Sequence, residues 1–275
     1  MSILHKIFMN DRDHALSDIL TVYQARGSCI VHFLYFANVM HQRLLEGTPL
    51  VSQQKYLKAL ETADFCLADG IALQLFYKYS SIGWYGKSMP PNLNGTDFNP
   101  YLFEQLSKNH KVSVYLYQCY DPPKGKDLAF VQKGIEVLKE KYPRITVPRS
   151  WQCLFWEKWK DFDWSWLEKT AKSDDAEIKI FFNCTGTPFQ ETRFMEHEAK
   201  LRELWFLMIS AGGTIDYMTG FEERAPEWVV KARVLETFWR ITTQPQKNFK
   251  KFWWMFGILR YWMKNFANFE WWKRW

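Results

Sequence analysis

The sequence predicts an α/β protein in which helices cover a largely parallel β-sheet. Short apolar runs alternate with longer amphipathic segments along most of the 275 residues, as they do where strands lead into helices. Hydrophobic residues make up 47% of the chain and charged residues 24%, which is typical of globular rather than disordered proteins. A chain of this length can build an ample core, in one large domain or two small ones.

Six short apolar runs predict the strands of this sheet. Strands that are buried on both faces are expected to be apolar throughout rather than alternating. The runs lie near Cys29–Phe36, Phe65–Ala68, Val112–Tyr117, Ile145–Pro148, Ile178–Asn183 and Trp205–Ser210.

Amphipathic segments between these runs predict the helices. The clearest is Lys126–Lys141, where apolar residues recur at helical spacing and Pro143 closes the segment. A further helix is expected from about Pro226, a good first-turn residue, to about Ile241. The remaining helical segments are Asp13–Gln24, Leu57–Thr62, Phe98–Lys108, Trp164–Lys172 and Phe189–Glu203.

The positive charge is concentrated at the C-terminus. The chain carries a formal net charge of +6, and residues 241–275 alone hold seven basic residues against the single acid Glu270. Six of the fifteen tryptophans lie in the same stretch. We therefore divide the chain into a neutral body, residues 1–240, and a basic, aromatic C-terminal appendage, residues 241–275.

Composition excludes several classes of protein. The five cysteines are scattered without CxxC spacing, which disfavours a disulfide framework or a zinc ribbon and favours a reducing compartment. The first ten residues are short and interrupted by Lys6, unlike a signal peptide. The longest uncharged stretch of the appendage, Phe252–Leu259, is far below the roughly 20 residues of a membrane span.

Polar or glycine-bearing turns follow several predicted strands or open helices. Ligands of α/β sheets bind at the carboxyl ends of the strands, so these turns are candidates for chemistry. A carboxylate such as Asp69 can act as a base, and glycines let a ligand approach the backbone closely. The turns are Ala68–Gly70, Asn94–Asp97, Gly186–Glu191 and Ala211–Asp216, with Arg224–Pro226 following the last.

Each of these turns also has a purely structural explanation. Asp69 and Asn94 are residue types that cap helices, and Pro188 sets a helix start. The acidic pairs Asp11-Arg12-Asp13 and Asp161-Phe162-Asp163 resemble metal clamps, but one precedes the first sheet strand and the other lies in a Trp-rich loop. No GxGxxG, Walker, GxSxG or HExxH motif occurs.

The order and spacing of the turns resemble a known family. Six stretches resemble the WecG/TagA/CpsF family of glycosyltransferases, glycosyltransferase family 26, and the resemblance as a whole runs from about Ile7 to Trp262. They are Ala68-Asp69-Gly70-Ile71, Gly95-Thr96-Asp97, Gly186-x-Pro188-x-Gln190-Glu191, Gly212-Gly213-x-x-Asp216, Arg224-Ala225-Pro226 and Leu235-Glu236-x-x-x-Arg240.

This resemblance implies a Rossmann-like three-layer α/β sandwich and an inverting, metal-independent enzyme. Such an enzyme moves N-acetylmannosamine, or its uronic acid, from a UDP donor to a polyprenyl-diphosphate-linked GlcNAc at the cytoplasmic membrane face. By the resemblance Asp69 is the general base, and Gln190 and Asp216 match positions that contact UDP. We assign substrate binding to His32, Asn92, Gly95, Asp97, Gln190, Glu191, Gly212, Gly213, Asp216, Arg224, Arg240 and Lys247.

The chain departs from the family pattern at four places. Asn92 stands where the family usually has arginine, and His32 and Leu34 stand where Thr-x-Asn ends the first strand. Gln118-Cys119 replaces a glycine turn, and the expected His-Gly is absent near Trp151–Cys153. These changes keep a second hypothesis open, a catalytically weakened relative that binds a nucleotide sugar or a partner protein without turnover.

The appendage is expected to form an amphipathic helix. In Gln246–Phe266 an aromatic and aliphatic stripe lies opposite lysines that include Lys250 and Lys251, as in helices that lie in a membrane interface. The alternative is that the stripe packs on the body. Single-stranded nucleic acid is disfavoured because nothing else in the sequence indicates a binding groove. Homo-oligomerisation stays open.

Overall fold

The computed structural model of the protein describes residues 3–35, 51–79, 89–148, 150–154 and 162–226, with isolated positions at 228–229, 239 and 242–243. Within them, a parallel sheet lies between two layers of helices. The described strands are β1 (Cys29–Tyr35), β2 (Phe65–Asp69), β3 (Val112–Tyr120), β4 (Ile145–Thr146), β5 (Ser150–Leu154), β6 (Ile178–Cys184) and β7 (Phe206–Ser210).

The strand order is β2-β1-β7-β6-β3-β4, and β5 pairs with β3 beyond the end of β4. Each described pair is parallel. The carboxyl ends of these strands therefore lie along one edge of the sheet, which we call the carboxyl edge, and helices return the chain to the opposite, amino edge.

Helices cover both faces of the sheet. The described helices are α1 (Arg12–Arg26), α2 (Val51–Thr62), α3 (Ile71–Tyr79), α4 (Gly95–Asn109), α5 (Leu128–Lys141), α6 (Trp164–Ser173), α7 (Phe189–Glu196), α8 (Glu198–Glu203) and α9 (Thr214–Met218). Helices α1, α4, α5 and α9 pack on one face, and α2, α3, α6, α7 and α8 pack on the other. This arrangement is the predicted three-layer α/β sandwich.

Short polar side chains fix where several helices begin. Side-chain oxygens of Asp11, Asn94, Asp127 and Asp163 accept backbone N–H groups at the starts of α1, α4, α5 and α6. Each such cap stabilises a helix by about 1 kcal/mol. Helix α1 ends at Arg26 and is followed by Gly27, whose φ of 71° is readily adopted by glycine.

A row of buried side chains crosses the sheet and lies near the carboxyl ends of β6 and β7. The strand registers place Cys66, His32, Ser210, Asn183 and Tyr117 side by side on β2, β1, β7, β6 and β3. All five are at most 2% exposed. His32 Nδ1 lies 2.7 Å from Ser210 Oγ, and the ring of Phe194 on α7 stacks on the imidazole. This polar row underlies part of the candidate site.

The six predicted strands are present with shifted ends, and the structure adds β5, α3 and α9. Strand β3 continues to Tyr120, so Gln118 lies inside the strand and the following turn is Asp121–Lys126. The expectation that the turn begins at Gln118-Cys119 is therefore wrong, and the observed turn contains Gly125, with φ 77°. The predicted helix Phe189–Glu203 is two helices, α7 and α8, with His197 between them.

Several predictions fall outside the described residues. The helix expected from Pro226 is described only at isolated positions, and the appendage only at residues 242–243. Arg240 and Lys247 also lie outside. In the part of the chain that the structure describes, no helix is long and apolar enough to cross a membrane.

Candidate functional site at the carboxyl edge

Asp69 is the last residue of β2 and lies half-buried at the carboxyl edge. It follows three buried residues, so the strand carries the carboxylate from the core to the surface. Gly70 comes next with φ 90°, a conformation that L side chains rarely adopt, and starts the turn into α3. The local sequence thus places a carboxylate where a parallel sheet presents ligands.

Asn92 supports this turn. Its Oδ1 accepts the backbone N–H of Gly70 at 2.9 Å, and Leu93 N–H donates to the carbonyl of Ala68 at 2.9 Å. The residue that stands in place of the family's arginine therefore holds the backbone next to Asp69. Gln74 Nε2, buried, donates to the carbonyl of Pro90 and fixes the same segment from α3.

The Gly95–Asp97 turn opens α4 and is tied to the start of α9. Asn94 Oδ1 accepts the N–H of Asp97 at 2.9 Å. The hydroxyl of Thr214 lies 3.2 Å from the Gly95 carbonyl oxygen, and Asn99 Nδ2 donates to that hydroxyl at 3.0 Å. These contacts bring the fourth predicted turn against the second.

Arg224 pairs with Asp97 across the same junction. The guanidinium contacts the Asp97 carboxylate, and the two side chains are 43% and 45% exposed. Two predicted site residues thus meet, although 127 positions separate them in the chain. The partial exposure leaves both accessible from solvent.

Gln190 connects the turns after β6 and β7. Its Oε1 accepts the N–H of Gly212 at 2.9 Å, and its Nε2 donates to Glu191 Oε1 at 2.8 Å. The side chain is 2% exposed. Both ends of the carboxamide are therefore engaged within the protein.

Glu191 lies beneath Gln190 and is fully buried. Its Oε1 also accepts the hydroxyl of Thr187 at 2.8 Å. Burial raises the pKa of Glu191 to about 7, because the apolar surroundings disfavour the charged form more than the bonds from Gln190 and Thr187 favour it. The structure places this predicted site residue behind the surface rather than on it.

Gly212 presents an open backbone at the turn after β7. Its φ is 54°, and a Cβ built on it would meet no atom of the described chain within 4 Å. Gly186, after β6, is similar, with φ 83° and the same open space. Two adjacent strands therefore end in glycines over which a ligand can approach the backbone.

Asp216, four residues after Gly212, is paired with a lysine that the sequence analysis does not identify. Lys126 Nζ lies 2.7 and 2.6 Å from the two carboxylate oxygens, and both side chains are less than one-fifth exposed. The ammonium also lies 5.4 Å from the ring centroids of Phe130 and Phe221. In the sequence, Lys126 is marked only by its position directly after Gly125. That position becomes part of the turn after β3 once the strand is seen to extend to Tyr120.

His32 lies in the polar row below the edge. It is 1% exposed, and burial lowers its pKa to about 3, so the imidazole is neutral at pH 7. Leu34, the other position that departs from the family's Thr-x-Asn, is fully buried. The structure therefore separates these two positions from the accessible turns.

The edge thus brings together Asp69, Asn92, Gly95, Asp97, Gln190, Gly212, Gly213, Asp216 and Arg224, with Glu191 and His32 beneath them. Across the described ranges, no three or more His, Cys, Asp or Glu side chains are grouped so that they could hold a metal ion. The chemistry that these residues offer is one half-buried carboxylate, open glycine backbone and paired cations.

Comparison with known proteins agrees with this geometry. A profile of the Glycosyl transferase WecG/TagA/CpsF family matches residues 2–273, nearly the whole chain. No curated protein matches the sequence significantly. The family uses a nucleotide-sugar donor and a lipid-linked acceptor. With the α/β fold and the turns in the expected order, the protein belongs to the WecG/TagA/CpsF family of glycosyltransferases, glycosyltransferase family 26.

Proposed function

We propose that the protein is an inverting glycosyltransferase that moves an N-acetylhexosamine from a UDP-sugar to a polyprenyl-diphosphate-linked GlcNAc. By resemblance to the family, the sugar is N-acetylmannosamine or its uronic acid, and the product belongs to a cell-surface polysaccharide or teichoic acid. The observation that carries the proposal is Asp69, a half-buried carboxylate at the end of β2 on the same edge as the open glycine turns.

In this reaction the acceptor hydroxyl oxygen attacks the anomeric carbon of the donor. Asp69 takes the hydroxyl proton as the new C–O bond forms, and UDP leaves from the opposite face with the bonding electron pair. One base suffices for a single displacement with inversion, so the proposal requires no metal ion. The backbone at Gly212 and Gly213 would line the donor site, and Arg224 would lie near its phosphates.

We further propose that the protein works at the cytoplasmic face of the membrane as a peripheral protein. The support is the charge of residues 241–275, where seven basic residues oppose a single acid among many aromatic residues. Lysines near anionic lipid contribute roughly 1 kcal/mol each. Deleting residues 246–275 is expected to abolish co-sedimentation with vesicles that contain anionic lipid, and undiminished sedimentation would contradict this part.

A second candidate is a weakened relative that binds a nucleotide sugar or a partner without turnover. The observation in its favour is Asn92, which replaces the family's arginine and whose Oδ1 is committed to the Gly70 N–H. A phosphate cation usual in the family is therefore absent at this position.

One experiment separates the two candidates. Purified protein is incubated with a panel of labelled UDP-sugars and a polyprenyl-diphosphate-GlcNAc analogue, and UDP affinity is measured in parallel. Transfer from one donor supports the enzyme; UDP binding without transfer from any donor supports the second candidate.

The base is tested by Asp69→Asn, which keeps the shape of the side chain and removes its basicity. Transfer is expected to fall by at least 10²-fold, while UDP affinity changes little. Asp175→Asn is the matched control, because Asp175 is an exposed carboxylate that pairs with Lys111 near the start of β6. Turnover that survives in Asp69→Asn would show that another group is the base.

A further inference from the structure

The buried acid Glu191 has no direct access to a ligand, yet it contacts the turns that border the candidate donor site. It lies in the first turn of α7, and its exposed fraction is 0%. Its Oε1 accepts two hydrogen bonds, from the hydroxyl of Thr187 and from the amide of Gln190, each at 2.8 Å. Its Oε2 has no hydrogen-bond partner within the described part of the chain.

Gln190 connects Glu191 to the glycine turn after β7. Gln190 Oε1 accepts the Gly212 N–H at 2.9 Å, so one carboxamide joins the acid to a backbone position 21 residues further along the chain. The space above Gly212 is open. A change at Glu191 can therefore reach an accessible backbone surface through a single intervening side chain.

A carboxylate has a specific effect on the orientation of Gln190. The two ends of a carboxamide have almost the same shape, and only hydrogen-bond partners decide which end points where. Oε1 of Glu191 already accepts the Thr187 hydroxyl, so it also acts as an acceptor toward Gln190: it attracts Nε2 and turns Oε1 of Gln190 toward the Gly212 N–H. An apolar residue at position 191 would fill the space but would not determine which end of the Gln190 carboxamide faces Gly212.

The cost of burying the acid also argues for a role beyond packing. A buried charge is unfavourable unless it is hydrogen-bonded, and Oε2 is left without a described partner. The fully buried hydroxyl of Tyr56 on α2 also lacks a partner in the described chain and is close enough to interact electrostatically with Glu191. A helix that needed only packing would be more stable with an apolar side chain here.

We propose that Glu191 is a positioning residue, which orients the Gln190 carboxamide and thereby fixes the glycine turn on which the donor binds. The proposal rests on the proposed function for the identity of the ligand. The effect on the glycine turn itself does not depend on that function and can be measured without any ligand.

The test follows the Gly212 amide by NMR hydrogen exchange in the full chain. Glu191→Ala is expected to speed exchange of the Gly212 N–H by at least 10-fold, because Gln190 loses its fixed orientation. Glu191→Gln is expected to retain much of the protection, since the new side chain keeps a carbonyl oxygen for the same donors. The matched control is Glu196→Gln, at the other end of α7, where the carboxylate pairs with Lys55.

Kinetics provide the second measurement. We expect Glu191→Ala to raise the KM for the UDP-sugar about 10-fold with less than a 3-fold change in kcat, partial rescue by Glu191→Gln, and no change in Glu196→Gln. Gln190→Met, which removes the acceptor of the Gly212 N–H at similar volume, should reproduce both effects. If Glu191→Ala does not fold, Glu191→Leu, which fills the same space without an acceptor, provides the test.

The outcomes distinguish the two proposals. Unchanged Gly212 exchange in folded Glu191→Ala, or in Glu191→Leu if the alanine variant does not fold, would overturn the positioning role. Accelerated exchange with an unchanged KM would also overturn it, because the turn would then not matter for the donor. If exchange responds as expected but the wild-type protein neither binds UDP nor transfers any sugar, the proposed function fails and the Glu191–Gln190–Gly212 connection remains.

Discussion

Replacing Glu191 by glutamine is expected to change how the stability of the protein depends on pH. The carboxyl has an ordinary pKa near 4.5 in the unfolded chain, and burial raises the pKa of Glu191 to about 7 in the folded protein. Between these values the folded protein holds a proton that the unfolded chain has released. The free energy of unfolding of the wild type therefore falls as the pH rises from about 4.5 to about 7, and this contribution is constant above that range.

The size of the effect follows from the two pKa values. Each unit of difference corresponds to 1.36 kcal/mol, so the loss of stability across the range is about 3 kcal/mol. Glutamine carries no titrating group, and its carbonyl oxygen can accept the bonds from Thr187 and Gln190. The free energy of unfolding of Glu191→Gln, minus that of the wild type, is therefore expected to increase by about 3 kcal/mol between pH 4.5 and pH 7.5.

Urea unfolding followed by tryptophan fluorescence measures this difference at closely spaced pH values. The variant must be compared with the wild type because His32 changes the free energy of unfolding with pH in the opposite direction. Burial lowers the pKa of His32 to about 3 from an ordinary 6.5, so its contribution to stability falls as the pH drops below 6.5. His32 is present in both proteins, and its effect cancels in the difference. A difference that stays constant from pH 4.5 to 7.5 would refute the reasoning, since Glu191 would then titrate alike in the folded and unfolded chains.

Further predictions concern the turns and their supports. Asn92→Asp keeps the acceptor for the Gly70 N–H but adds a carboxylate near the proposed base, so the acid limb of the pH profile of kcat/KM should move to higher pH. A double-mutant cycle with Lys126→Ala and Asp216→Ala should give a coupling free energy of about 1–3 kcal/mol in urea unfolding, and a value near zero would deny the pair a structural role. Removal of divalent cations with EDTA should leave transfer unchanged, as radiolabelled transfer assays can show.

The sheet is the most predictable part of the fold. Strands β1 and β7 are buried along almost their whole length, so both appear in the sequence as continuous apolar runs. Ser150–Leu154 mixes polar and apolar residues, and its pairing with the end of β3 becomes evident only in three dimensions. Ile71–Tyr79 is apolar with a single charge, Lys78, and such a run is ambiguous between strand and helix.

The sequence predicts that the turns of the candidate site share one edge of the sheet, but it does not predict the contacts between them. Parallel strands bring their carboxyl ends to one edge, so turns such as those at Asp69 and Gly212 had to lie on the same side of the sheet. Gln190 and Gly212 are 22 positions apart, and Lys126 and Asp216 are 90 apart. Contacts of this kind leave no local pattern in the sequence, because they depend on which strands are neighbours.

The pairing of charges at the carboxyl edge affects which cations of the protein can attract a diphosphate. Lys126 already holds Asp216, and Arg224 already holds Asp97, so each of these cations has an acid beside it. The whole body, residues 1–240, has no formal net charge, since residues 241–275 account for the entire +6. We therefore expect the appendage to supply much of the long-range attraction for an anionic donor or acceptor, and attraction of this kind weakens with ionic strength. Neutralising Lys250 and Lys251 with glutamine should accordingly reduce the salt dependence of donor and acceptor KM, whereas the hydrogen bonds that brace the glycine turn should be unaffected. An unchanged salt dependence would indicate that the paired cations of the body, rather than the appendage, meet the phosphates.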